Sequence, residues 1–133
     1  MMVKVLVCGG RKFDDYDSMC TFLGHFHAEH GITRLIQGGA TGADFLARRW
    51  AENNFIPYQE YKADWKRYGN RAGPLRNQKM LDIEDPDFVI AFPGGAGTAD
   101  MVKRSLAGKY KVICLNDIDK EEEEITFEKF QTI

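Results

Sequence analysis

Phe88-Val89-Ile90-Ala91-Phe92-Pro93-Gly94-Gly95-Ala96-Gly97-Thr98 is the stretch that decides the fold. Five apolar residues form a strand too short for a helix, and the run ends in a glycine-rich turn. The pattern from Ala99 to Lys109 is helical. A buried strand therefore delivers the chain through glycines to a helix N-terminus. There the first amides lack internal partners and the peptide dipoles sum to partial positive charge. After Pro93, the glycines Gly94, Gly95 and Gly97 keep side chains away from those amides, and Thr98 is placed to cap the helix or to donate its hydroxyl. A phosphate is the simplest ligand for such a turn.

Two further strand ends leave through glycine pairs. Gly9-Gly10-Arg11 follows Val3-Lys4-Val5-Leu6-Val7-Cys8, and Gly38-Gly39-Ala40-Thr41-Gly42-Ala43-Asp44 follows Leu35-Ile36-Gln37. Three such exits argue for one shared ligand. Between them the sequence alternates strands and helices. Strands are expected at 2–8, 33–37, 57–61, 87–92 and 111–115. A helix at 15–30 carries Met19, Phe22, Leu23 and Phe26 as one stripe, with Asp15 as N-cap and Gly31 as stop. A second, at 42–54, turns Ala43, Leu46, Ala47 and Trp50 inward. A polar loop, 62–73, precedes a helix starting near Pro74. The helix from Thr98 shows Met101, Val102, Ser105 and Leu106 on one face. This is an α/β pattern: a single Rossmann-like domain with a mostly parallel sheet of five strands, or slightly more, covered by helices on both faces. Ligands of such sheets bind beyond the strands' carboxyl ends, where all three glycine pairs fall.

The 133 residues suit one domain, which we place at 1–115, with an acidic extension, 116–133, containing Glu121 to Glu124. Ile125, Phe127 and Phe130 fit neither period, leaving a docked helix or an edge strand open. No apolar run reaches the ~18 residues of a membrane span, and Met1 to Val7 is too short for a signal-peptide core. Cys8, Cys20 and Cys114 are an odd number, read as free thiols packed in a reducing compartment, so the cytoplasm is expected. His25, His27 and His30 lack metal-ligand spacing, and no metal or cofactor is expected.

The motifs Gly38-Gly39-Ala40-Thr41-Gly42-Ala43-Asp44, Ala63-Asp64-Trp65, Gly73-Pro74-Leu75-Arg76-Asn77 and Pro93-Gly94-Gly95-Ala96-Gly97-Thr98, in this order, resemble the YspA-like branch of the SLOG superfamily. Its relatives include the Lonely Guy phosphoribohydrolases, molybdenum-cofactor-carrier-like proteins and DprA. The resemblance implies a nucleotide-binding Rossmann-like domain, often a homodimer or dimer of dimers. The Lonely Guy signature PGGxGTxxE adds a glutamate that works with an arginine. Arg76 matches that arginine, but Met101 stands where the glutamate would be. A thioether cannot stabilise a developing sugar cation, so hydrolysis would need a displaced carboxylate, Asp100 or Asp44.

Binding of a nucleotide or nucleotide-derived phosphate is therefore the first expectation. Its residues are the three glycine loops with Arg11, Thr41 and Thr98, together with Arg71, Arg76, Asn77 and a stacking Trp65. Nucleoside 5′-monophosphate hydrolysis by Arg76 with Asp100 or Asp44 is the alternative. Single-strand nucleic-acid binding is a third: Lys62 to Lys79 is basic and contains Trp65 and Tyr68. A net charge of −2 argues against that partner. Phe45, Phe55, Trp65 and Tyr68 exceed what one small core hides, and they point to a subunit contact.

Overall fold

A computed structural model describes residues 2–115 and the backbone of 131–132. β1 (Val3–Cys8), β2 (Ile32–Gln37), β3 (Tyr58–Glu60), β4 (Phe88–Ala91) and β5 (Val112–Cys114) form parallel pairs in the order β3-β2-β1-β4-β5. β6 (Gln131–Thr132) adds to β5 antiparallel, so these two residues take the edge-strand option. The rest of the acidic extension, 116–130, with Ile125, Phe127 and Phe130, lies outside the described residues.

Strand alternation sorts the core into two layers. Val3, Val5 and Val7 face α1 (Tyr16–His30) and α2 (Ala43–Asn53), where they pack on Met19, Phe22, Leu23, Phe26, Ala47 and Trp50. Leu6 and Cys8 face α4 (Ala72–Glu84) and α5 (Ala96–Ala107), against Met80, Leu81 and Met101. A register shift opposite Val3 and Lys4 turns both Ile32 and Leu35 toward the first layer, although an odd interval separates them. The α1 stripe is fully buried, each large side chain contributing about 1.5–3 kcal/mol. Asp15 caps α1 by accepting from the Ser18 amide, and Gly31 ends it at φ 72°.

Three boundaries differ from the sequence reading. The polar loop contains a short helix, α3 (Trp65–Tyr68), capped by Asp64, which accepts from the Arg67 amide, and then a 3-10 turn at Gly69–Arg71. α4 begins at Ala72, so Pro74 is its third residue; first-turn amides have no helical partner, and proline costs nothing there. Gly95, not Thr98, is the N-cap residue of α5. Leu106 also departs from its expected face and is exposed.

Phe45 and Phe55 are exposed, Phe55 by 94%, and Trp65 and Tyr68 are about half-exposed. No helix among the described residues is long and apolar enough to cross a membrane.

Strand order reverses at β1, because the chain crosses from β3 through α4 to β4 on the other side. Below this point the second layer closes on a buried carboxylate. Glu84, at the end of α4, accepts from Arg34 Nε at 2.9 Å, from Arg34 Nη2 at 3.1 Å and from the Tyr61 hydroxyl. The Arg34 hydrogen bonds hold the Glu84 carboxyl below its usual range against the opposing effect of burial. A depressed carboxylate contributes stability above its unfolded pKa, and that stability is lost as pH falls through the folded value. Glu84→Gln is therefore expected to destabilise the fold at pH 7 by about 2–3 kcal/mol, because Arg34 still reaches water, and so to lower Tm there and flatten its decline between pH 5 and 3. Thermal melts across that range test this; an unchanged acid limb would contradict it.

Candidate functional site

A cleft of about 640 Å³ opens at the switch point, between the carboxyl ends of β1 and β4. The Gly9-Gly10-Arg11 turn forms one wall and the N-terminus of α5, Gly95 to Thr98, forms another. Asp44 from α2 and Arg76 and Asn77 from α4 also line it, with Trp65 at the side.

Two kinds of glycine surround this cleft. At Gly42, φ is +74° and a Cβ would lie 2.2 Å from the Gly10 carbonyl oxygen. Its neighbour Ala43 donates its amide to that same oxygen at 3.0 Å, and Gly10 donates to the Pro93 carbonyl at 2.9 Å. Gly10, Gly42 and Gly94 thus allow three loops to meet backbone to backbone, while Gly9 makes room for the Ala43 side chain. Gly95 and Gly97 differ: among the described residues, a Cβ there would meet nothing within 4 Å. They belong to a helix start that no side chain among the described residues caps, so the first α5 amides lack a capping partner.

Gly38 makes room for two charged side chains. A Cβ on it would stand 2.4 Å from Arg76 Nη1 and 2.9 Å from Asp44 Oδ2, so the guanidinium and the carboxyl converge there. Arg76 donates to the carbonyls of Gly38 and Tyr61, and its Nε to Asn77 Oδ1 at 3.0 Å. Asp44 is 7% exposed and accepts from the Ala40 amide at 3.2 Å. Burial pushes its carboxyl up to about 6, against the pull of the Ala40 and Gly38 amides and of Arg76. Asp100 behaves oppositely. Burial pushes it up, but donation from Arg104 Nε at 2.9 Å and Asn77 Nδ2 at 3.0 Å outweighs this and leaves it below its ordinary range.

Other expected residues fall around this centre. Arg11 lies over the Trp65 ring, 5.0 Å from its centroid, and Gly73 lies beneath Trp65, where a Cβ would approach within 3.2 Å. Arg67 covers Tyr68 in the same way, so each aromatic of the basic segment already carries a guanidinium. Gly38, Gly39 and Thr41 line a smaller side pocket of about 340 Å³, shared with Arg11, Trp65 and Arg76. Pro93 and Gly94 line a separate apolar groove on the far side of α5. Gly42 lines none of these spaces, and Arg71 is exposed on the 3-10 turn without lining any of them. Cys8 reaches the cleft floor as a buried thiol that burial, then Asp44, push far up, so it is a neutral packing group. Met101 is 1% exposed within the second core layer and is turned away from ligand chemistry.

Sequence reasoning missed Asn70 and Gly73 in the cleft lining, and it missed Gln37. The fully buried Gln37 side chain accepts from the Gly39 amide and donates to Glu60 Oε1 at 2.8 Å, fixing the loop that carries Gly38. A single amide side chain ending an apolar strand was the available signal.

An open, doubly wound sheet with its cleft at the switch point defines a Rossmann-like protein. The family described as YspA, cpYpsA-related SLOG matches residues 3–68. The gene 61 protein of Mycobacterium phage D29 is 32% identical over 127 residues, covering 87% of this chain and 98% of the phage protein. The chain belongs to the YspA, cpYpsA-related SLOG family. Two solved structures share the fold. The molybdenum cofactor binding protein from the phototrophic bacterium Rippkaea orientalis superposes with a TM-score of 0.63 at 22% identity, over 96% of this chain and 84% of that one. The phosphoribosylglycinamide formyltransferase (purN) from Coxiella burnetii, in complex with CHES, gives 0.53 at 14% identity, over 86% and 51%.

An acid whose folded pKa is raised loses stability as pH rises from the unfolded value, near 3.8, through about 6. Asp44→Asn is therefore expected to raise Tm at pH 7.5 and to have a smaller effect at pH 4.5. Melts that show destabilisation at pH 7.5 would contradict the burial argument.

Proposed function

We propose that the cleft binds a nucleotide or nucleotide-derived phosphate ligand, with its phosphate on the N-terminus of α5. The observation that carries this reading is the open space over Gly95 and Gly97 at an uncapped helix start facing the cleft. Amides and the helix dipole attract an anion there, and the Thr98 hydroxyl lies beside them. Arg76 supplies positive charge on the adjoining wall. Trp65 offers a ring edge for a base, one face being held by Arg11. The protein from Rippkaea orientalis is by name a molybdenum cofactor binding protein, which agrees with ligand binding by this fold; at 22% identity the likeness supports the fold. Membership of the SLOG family is consistent with the same reading.

Thermal-shift screening against nucleoside mono-, di- and triphosphates, ADP-ribose and cyclic dinucleotides tests it. A ligand at 100 times its Kd adds about 2.7 kcal/mol. Gly97→Ala is expected to keep or raise the unliganded Tm, since Ala favours a helix by up to about 1 kcal/mol, while abolishing the shift. No shift with any of these compounds would overturn the reading, and so would a full shift in Gly97→Ala.

A second reading, hydrolysis of the N-glycosidic bond of a nucleoside 5′-monophosphate, is favoured by one observation. Asp44, whose carboxyl burial pushes up to about 6, converges with Arg76 in the cleft. Asp100 is already committed to Arg104 and Asn77, which makes Asp44 the candidate acid or base. Free base released from AMP by wild type but not by Asp44→Asn supports it. Release at the buffer rate by both overturns it for that substrate.

A further inference from the structure

The two carboxylates of the cleft are not equivalent. Asp100 accepts twice on Oδ2 from neighbouring side chains. Asp44 sits in the first turn of α2, buried, with the Ala40 and Gly38 backbone amides as its donors, and among the described residues no cation comes close enough to form an ion pair with it. Arg76, the nearest cation, is spent on the Gly38 and Tyr61 carbonyls and on Asn77. The deep wall of an anion-binding cleft thus carries a buried acceptor with spare capacity.

An ionised carboxyl only accepts hydrogen bonds. A second phosphate placed against it is repelled, whereas hydroxyl groups donate to it. Two hydroxyls on adjacent carbons can match its two oxygens, as other bidentate donors do. We propose that Asp44 selects the ligand by accepting from a vicinal pair of sugar hydroxyls, so that the cleft takes ribose 5-phosphate compounds in preference to their 2-deoxy counterparts. This rests on the reading that the phosphate lies on α5.

The surroundings of Asp44 set the sign of a pH effect. Arg76 from α4 favours its charged form, while burial and Glu60 at the end of β3 oppose it. The Cys8 thiol from β1 is neutral, and Arg11 and Asp100 stand on the other walls. Hydroxyl donation stabilises the carboxylate, so preference for the diol grows as pH rises through about 6. A 5-phosphate itself titrates near this pH, but it is common to both sugars and cancels in the ratio of their affinities.

Calorimetric titration with ribose 5-phosphate, 2-deoxyribose 5-phosphate and inorganic phosphate, at pH 5.0 and 7.5, tests the inference on wild type and Asp44→Asn. Ribose 5-phosphate is expected to bind about ten-fold tighter than the deoxy sugar at pH 7.5, as one charge-assisted hydrogen bond provides. The ratio should shrink at pH 5.0 and fall toward one in Asp44→Asn, whose melting curve verifies folding. Equal affinities in wild type, or a preference that survives in Asp44→Asn, overturn the role of Asp44 and leave phosphate binding standing. No binding of any of the three probes overturns the phosphate reading and this inference together.

Discussion

The backbone contact among three loops is the constraint on which the site depends. The Gly10 carbonyl accepts from Ala43 at the head of α2, while the Gly10 amide donates to Pro93 at the exit of β4. With a Cβ at Gly42 the first contact is impossible, and one at Gly94 would stand 2.6 Å from the Gly10 amide nitrogen. The β1 turn is therefore clamped between the two halves of the sheet. That clamp fixes how far the α5 N-terminus stands from Asp44 and Arg76, and so fixes the cleft. Hydrogen bonds of this kind add only about 1 kcal/mol each, yet leaving such groups buried and unpaired costs more. Geometry, more than affinity between the loops, is what they supply.

Around that clamp the chain tolerates local cost. Asp44 is buried where its charge is disfavoured, and Arg76 gives up solvent for carbonyl partners. Elsewhere the same chain treats a buried carboxylate differently. Glu84 receives two hydrogen bonds from Arg34 and one from Tyr61, and is held ionised. One carboxylate is satisfied and structural; the other is left with capacity to spare beside an open cleft. Destabilised groups of the second kind mark sites that gain by binding.

Much of the architecture was legible in the sequence because it follows from pattern. Alternating strand and helix periods implied a parallel sheet, and the Met19-Phe22-Leu23-Phe26 stripe of α1 is buried as its spacing required. Helix starts were less legible. Pro74 and Thr98 looked like boundary residues, but a proline is harmless anywhere in a first turn, and Gly95 could begin α5 three residues earlier. The Asp64 cap of α3 was written in Ala63-Asp64-Trp65, yet a four-residue helix has no period to reveal it. Within the site, sequence could gather the glycines but not divide them. Whether a glycine admits a neighbouring loop, as at Gly42, or leaves amides open, as at Gly97, depends on distances between segments far apart in the chain. The convergence of Asp44 and Arg76 on Gly38 was hidden for the same reason.

The central claim is that the amides at the head of α5 receive the phosphate of the ligand. Backbone amide shifts, followed by NMR while a nucleoside monophosphate is titrated into the labelled protein, test it most directly. The largest changes are expected on Ala96, Gly97 and Thr98, with smaller ones along Gly9 to Arg11 and around Asp44. Saturable changes confined to other surfaces, with the α5 amides unmoved, would contradict it.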